Sequence, residues 1–417
     1  MKKNFLLLFF LIILSVTLSA CLSSKTLNIK YSNALNNVDT TNLKVCKGYE
    51  YITSNENLSE RYNQASLILF DKLDSKNKDN FIASPLGVSL CLSLLNYISD
   101  DTVKGEVQEL LSLSDDDLNA SKNIIDLISF EKDDAKLLLS NSIWVDKELT
   151  TDAPVFQELA DKFYCYGYQT PFKAKINKAN DDIKRFISYQ TKGLINKSFD
   201  FTADTIFALI NTLYLKDKWG SKDLKTRNLT FHGIKEEEIT FLEGNTVSGD
   251  INSTDISQYV YTETASRFSM IFVVPNEGHE VSDVMTISNL SEVLAGVRKA
   301  SSVDDVYTKV IFPKFSLTSD TDIMAKFQEQ KIMPNAFLSF NTKIIDEPVL
   351  INKFINSCKL KVDEKGIEGA SAVVMGFAKN ASFSPECKEY IVDRPFGLIV
   401  MYNNTILFMG RVYKPEK

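Results

Sequence analysis

Side chains able to activate a nucleophile or hold a metal are scarce in these 417 residues. Only two histidines occur, His232 and His279. A Ser-His-Asp or Cys-His hydrolytic site, or a histidine-rich metal centre, would have to be built around one of them. Both lie in polar, turn-like surroundings, LTFHGIKEEE and VPNEGHEVSD, where a histidine is expected to sit exposed. Six cysteines occur, at positions 21, 46, 91, 165, 358 and 387, without a Cys-x-x-Cys spacing of the kind a zinc or redox site uses. Cys91, inside VSLCLSLL, reads as a small buried hydrophobe. The other four beyond Cys21 leave a disulfide open but unsupported. There is no phosphate-binding glycine motif and no paired-carboxylate signature. An ordinary hydrolase is disfavoured, and no metal or other cofactor is expected.

The stretch with unusual chemistry is instead VDEKGIEGASAVVMGFAKNASF, Val362 to Phe383. Its glycines argue against a helix, and Val373, Val374 and Met375 argue against a solvated loop. Side chains alternate along a strand. If Glu364 ends one strand and the chain continues as another, Ile367, Gly369, Ser371 and Val373 point one way. Glu368, Ala370, Ala372 and Val374 point the other. Such mostly small residues can slide between two existing strands and over a packed helix layer. With two neighbours a segment forms one to two backbone bonds per residue, each worth about 0.5–1.5 kcal/mol net. Over roughly a dozen residues the gain is on the order of 10–20 kcal/mol before strain and entropy, comparable with a whole domain's stability. Kept outside a sheet, the segment is stored energy.

The surrounding elements follow from periodicity. LSERYNQASLILFDKLDSK has helical apolar spacing. FIASPLGVSLCLSLLNYIS places a short strand, Phe81 to Ala83, before a helix capped by Ser84 with Pro85 in its first position. That helix is apolar on nearly every side and must be buried. AKLLLSNSIWVDKEL and FALINTLYLKDKW read as long strands. APVFQELADKFY, ANDDIKRFISYQTKGLI and TDIMAKFQEQKI read as amphipathic helices. SMIFVVPNEG, VIFPKF and SCKLKVDEKG add strands, and YIVDRPFGLIVMYNNTILFMGRVYKP reads as two apolar strands around an Asn403-Asn404 turn. Helices come early and strands late, an α+β arrangement. No linker interrupts residues 58–417, which are taken as one domain.

The formal charge of −7 and pI near 5.2 argue against nucleic-acid binding, which needs a basic face. A monomer is expected. The N-terminus, MKKNFLLLFFLIILSVTLSACLSS, has the layout of a secretory signal peptide: two lysines, an apolar run from Phe5 to Leu14, then small residues. Leu18-Ser19-Ala20-Cys21 resembles the lipobox of bacterial lipoproteins. That resemblance implies a signal peptide over 1–20, an acylated Cys21, and attachment to the cell envelope through a lipid anchor, surface-exposed. Residues 21–57, polar and rich in Asn, Thr, Lys and Ser, read as a flexible tether.

Along residues 58–417 the chain resembles a serpin. NFIASPLGVSLCLSLL is similar to the family's Asn-x-x-x-Ser-Pro-x-Ser segment, and NTLYLKDKW to its Asn-x-x-Tyr-x-Lys-x-x-Trp strand. FPKF, DEKGIEGASA and VDRPFGLIV...ILFMGRVYKP follow in the family's order. The resemblance implies three β-sheets, about nine helices and an exposed reactive loop from about Gly366 to about Cys387. It implies a suicide inhibitor of serine, and more broadly also cysteine, endopeptidases. A protease acylates itself on the loop, the severed loop inserts into the main sheet, and the distorted protease cannot deacylate. The inhibitor contributes no catalytic residue. Glu364, Gly366, Ile367, Gly369, Ala370, Ser371, Ala372 and Val373 would form the hinge that leads the way in. Ser84, Asn211 and Asn356 would form a polar latch beneath the insertion point, and Trp219 would lie under the loop's entry.

The chain also departs from the family. Ile367 and Val373 stand where inhibitory members usually carry Thr or Ser; both are β-branched and uncharged and suit a strand. Gly87 stands where a second Ser is common, and Asn356 where a His is common, so the latch should not respond to mild acid. Counting the family's interval from Glu364 puts the scissile bond at Asn380-Ala381. One residue fewer gives Lys379-Asn380, suited to a trypsin-like enzyme. Phe377, Ala378 and Val374 offer chymotrypsin-like or elastase-like sites. The alternatives are a non-inhibitory serpin that binds or carries a ligand, supported by Ile367 and the altered latch, and an unrelated lipoprotein enzyme.

Overall fold

The computed structural model describes residues 56–133, 135–149, 153–220, 222–248, 250–300, 307–368 and 387–415. The rest, including Cys21 and residues 369–386, where the sequence leads one to expect a reactive loop, lies outside the described residues. Three sheets and ten α-helices form one α+β body among them.

A six-stranded sheet forms the buried base. Its order is Phe81–Ala83, Thr405–Val412, Phe396–Tyr402, Ser269–Pro275, Ser257–Glu263, Asn252–Ser253. The second and third strands form a hairpin whose turn residues, Asn403 and Asn404, have φ of 46° and 59°. Asparagine tolerates this region, and such a turn matches the strand twist. Thr405–Val412 is buried along its whole length, as an apolar strand covered on both faces must be.

Helix Pro85–Ile98 is buried at 13 of its 14 positions, which accounts for its apolar composition. It packs against strand Thr405–Val412 on one side and strand Phe207–Lys218 on the other. Its N-cap is Ser84, whose Oγ accepts from Gly87 N. It is thus a layer between the six-stranded sheet and the largest sheet.

That main sheet runs Phe315–Asp322, Ile355–Asp363, Gly366–Ile367, Phe207–Lys218, Ala135–Asp146, Phe130–Lys132, with Cys165–Thr170 added in parallel to Ala135–Asp146. Helix Ile176–Gln190 covers its outer face, where Trp144, Ile183, Phe186, Ile187, Ala208 and Ile210 make a separate core. A third sheet runs Cys387–Ile391, Tyr307–Pro313, Glu236–Ser248, Thr226–His232. Helices Asp101–Leu111, Ser121–Ile128 and Ile287–Ala300 were not anticipated from the sequence. Asp101–Leu111 is capped by Asp100, which accepts from Val103 N, whereas Ser121–Ile128 has no side-chain cap and is a short stretch of eight residues.

Candidate functional site: a slot in the main sheet

Strands Ile355–Asp363 and Phe207–Lys218 are neighbours in the main sheet, yet no ladder joins them directly among the described residues. At the top a two-residue strand stands between them. The chain turns back after Asp363, and Gly366 and Ile367 pair antiparallel with Asp363 and Val362 on one side. On the other side they pair with Lys218 and Asp217. At that level the two long strands are therefore one strand apart, about 9.6 Å by ordinary spacing. Below lies a cavity of about 390 Å³. Its walls are Phe207 to Leu213 from one strand, Phe354 to Lys359 from the other, and Gly87, Val88, Cys91 and Leu95 from the helix behind.

The head of the slot is tightly specified. A Cβ on Gly366 would lie 2.0 Å from Asp217 O, so only glycine lets the chain approach that closely. Ile367 is fully buried, which gives its β-branched side chain a core position at the entry. The Trp219 indole donates to Asp363 O at 2.6 Å and packs on Phe312, so its role exceeds aromatic packing. The buried Asp363 carboxylate accepts from Lys365 N at 2.9 Å and Gly366 N at 3.3 Å and pairs with Lys361 at 2.8 Å. Burial raises its pKa, but Lys361 and those two N–H groups outweigh burial and hold it below the ordinary range. Glu364 is likewise lowered by Lys314, 2.8 Å away. Asp217, facing the core, is pushed up by burial despite the Ser266 N and Oγ donors at 2.8 and 3.1 Å. Charge and hydrogen bonds thus fix the turn from both sides.

Half-way down, Ser84, Asn211 and Asn356 do gather at the slot, but not as one latch. Ser84 N donates to Asn356 Oδ1 at 3.2 Å, while Ser84 Oγ donates to Leu407 O at 2.9 Å. Asn211 Nδ2 instead donates to Asn141 Oδ1 at 2.8 Å, on the neighbouring strand. Asn141 in turn holds Phe163 O at 2.8 Å. Sequence reasoning missed Asn141. The available signal was Ser140-Asn141-Ser142, a polar run inside an apolar strand. Gly87 leaves room here, since a Cβ would lie 2.8 Å from Asn211 Oδ1.

Cys91, Cys165 and Cys358 are free thiols. Burial pushes Cys91 and Cys358 up to about 12, so they are protonated and inert at neutral pH. His232 is half-exposed beside Glu236 at 3.1 Å, and His279 lies 4.0 Å from Asp283. Neither faces a nucleophile. Of the sequence-expected residues, Gly369, Ala370, Ser371, Ala372, Val373, Lys379, Asn380, Ala381 and Cys21 lie outside the described residues.

Beyond the loop the chain re-enters at Cys387–Ile391, parallel to Tyr307–Pro313. Glu389 meets Arg227 at 3.1 Å and Lys309 at 3.5 Å, and Lys388 meets Asp250 at 2.8 Å. Both ends of the unassigned segment are therefore pinned to sheets.

A sequence profile described as Serpin (serine protease inhibitor) matches residues 60–415. The chain belongs to the serpin family. Among its relatives, Serpin-Z10 of Arabidopsis thaliana is 25% identical over 382 residues, covering 82% of this chain and 93% of that protein. Human neuroserpin is 22% identical over 379 residues, covering 84% and 90%. Among solved structures, human thyroxine-binding globulin superposes with a TM-score of 0.71 at 18% identity, covering 86% of this chain and all of that one. The thermophilic serpin tengpin in its native state gives 0.70 at 18% identity, covering 88% and 96%. The three-sheet α+β architecture of this serpin is the family's fold. Many serpins inhibit proteases and some do not.

Proposed function

We propose that this serpin is a suicide inhibitor of serine endopeptidases, and more widely of cysteine endopeptidases, which take segment 366–387 as substrate. One observation carries the reading: Gly366–Ile367 is already laddered between two strands that stand apart below it. Continued at the same register, the chain meets one wall down to Ile355 at Val374, and the other down to Phe207 at Phe377. Gly369 and Ser371, among the smallest residues, then pass over helix Pro85–Ile98, and Val373 arrives between Asn211 and Asn356. Seven residues paired on both sides would gain on the order of 7–20 kcal/mol from backbone bonds.

The protease hydroxyl or thiol attacks the carbonyl of Asn380, the new amine leaves on Ala381, and the acyl-enzyme bond persists because insertion carries the protease away before water can attack. Small displacements of catalytic groups cost large rate factors. Lys379-Asn380 is the adjacent bond for a trypsin-like enzyme.

The reading extends to location. Leu18-Ser19-Ala20-Cys21 supports lipidation of Cys21 and attachment to a bacterial envelope, since several acyl chains hold a protein durably at a membrane. Metabolic labelling with a fatty-acid analogue checks this: label is expected on the native chain and absent from Cys21→Ala.

The deciding experiment incubates residues 22–417 with trypsin-, chymotrypsin- and elastase-like proteases, a papain-like one and an asparagine-specific one. A complex that survives SDS, with a C-terminal fragment whose mass fixes the scissile bond, is the expected result. Cleavage without a complex, followed by no gain in melting temperature, overturns the inhibitor reading in favour of a binding or carrier serpin.

A further inference from the structure

The last described residue before the loop, Glu368, sits where something else must go. Its backbone N donates to Lys361 O at 2.9 Å, continuing the ladder. Its φ of +52° departs from the strand conformation and is costly for a residue with a side chain. The side chain runs down the slot's outer edge to the Tyr214 hydroxyl, within hydrogen-bonding reach and near Lys359. One carboxylate oxygen, Oε2, is buried there without a hydrogen-bond partner.

Register identifies the place. Ile367 pairs with Val362 and Asp217, so the residue that would face both Lys359 and Tyr214 in an inserted strand is Ala370. The Glu368 carboxyl, beside the Tyr214 hydroxyl, therefore lies on the level that Ala370 would take. At the same register Glu368 itself belongs one step from Ile367, between Lys216 and the exposed Lys361.

We propose that Glu368 is a positioning residue that plugs the slot and couples loop insertion to release of a proton. The proposal rests on the inhibitor reading above. In the plugged position the carboxyl faces Tyr214 and Lys216 from strand Phe207–Lys218, and Lys359 and Lys361 from strand Ile355–Asp363. Glu131, from Phe130–Lys132, faces Tyr214 and is itself paired with Lys136. Burial outweighs the hydroxyl and the three lysines and raises the carboxyl's pKa, as the orphaned oxygen requires. Insertion moves it to the open face between two lysines, where the ionised form is favoured. The plugged state therefore binds the proton more tightly. The insertion equilibrium should rise with pH by up to about tenfold per unit, from the ordinary carboxylate range up to the raised value.

The test compares intact and loop-cleaved protein from about pH 4.5, near the carboxylate range, to about pH 8. The melting-temperature gap between the two forms gives the equilibrium, and Trp219 fluorescence after cleavage gives the rate. For the wild type the gap should widen and the rate rise with pH. Glu368→Gln should flatten both. Tyr214→Phe, which removes the donor that favours the ionised plug, should keep the dependence and move its midpoint to higher pH. A gap independent of pH, a gap that narrows with pH, or a dependence retained by Glu368→Gln overturns the proposal while leaving insertion intact. A cleaved form no more stable than the intact one at any pH overturns insertion and this proposal together.

Discussion

Gly366 and Trp219 show how single residues hold the slot's head. Replacing Gly366 by alanine puts a methyl group 2.0 Å from Asp217 O, so the two-residue strand must shift. A loss of about 1–3 kcal/mol is expected in urea unfolding of the intact protein. Trp219→Phe leaves Asp363 O without its 2.6 Å donor in a buried site, which should also cost about 1–3 kcal/mol. Both positions were legible: a glycine after Asp-Glu-Lys and a tryptophan ending a strand. Asn141 was marked only by its polar run, and its bonds were not legible, because they reach Asn211 and Phe163, partners 70 and 22 residues distant that no local pattern encodes. Glu368 was legible only as facing away from Ile367. Its positive φ and its contact with Tyr214 arise from strands that sequence periodicity does not order.

Among the elements, the strands and the Ser84-capped helix could be read because alternation, caps and turn asparagines are local signals. The gap between Ile355–Asp363 and Phe207–Lys218 could not, since it depends on which distant strands fail to pair. A substitution on the loop's inward face tests whether that gap is filled. Ser371 would face Cys358 and Leu213 at the extended register, so Ser371→Arg would carry a charge into the layer above helix Pro85–Ile98. Cleavage should proceed at an unchanged rate, while SDS-stable complex falls at least about tenfold. A burial cost of several kcal/mol is more than enough for that. Unimpaired complex formation would show that the loop does not enter at this register.

For the whole molecule, on the proposed reading, the slot makes the intact form less stable than the loop-inserted form the same atoms would reach. Closing it with seven doubly paired residues should raise the melting temperature of the cleaved protein by roughly 7–40 °C, taking about 1–2 °C per kcal/mol in a body of this size. Calorimetry of both forms checks this. One further ion pair is not among the residues that line the slot and should not take part. Arg411, fully buried, meets Asp74 at 2.5 Å. Arg411→Ala should cost about 3–5 kcal/mol and lower the melting temperatures of intact and cleaved protein alike.

The hairpin Phe396–Val412 supplies two interior strands of the six-stranded sheet and lies C-terminal to every bond at which the loop would be cut. Cleavage would therefore sever the backbone without separating the pieces, and the C-terminal fragment would stay as two interior strands. Once such a protein is denatured, reassembly becomes a meeting of two chains, and its success depends on concentration where the intact chain's did not. The molecule would keep a lasting record of one encounter, written into its connectivity, that neither unfolding nor refolding erases.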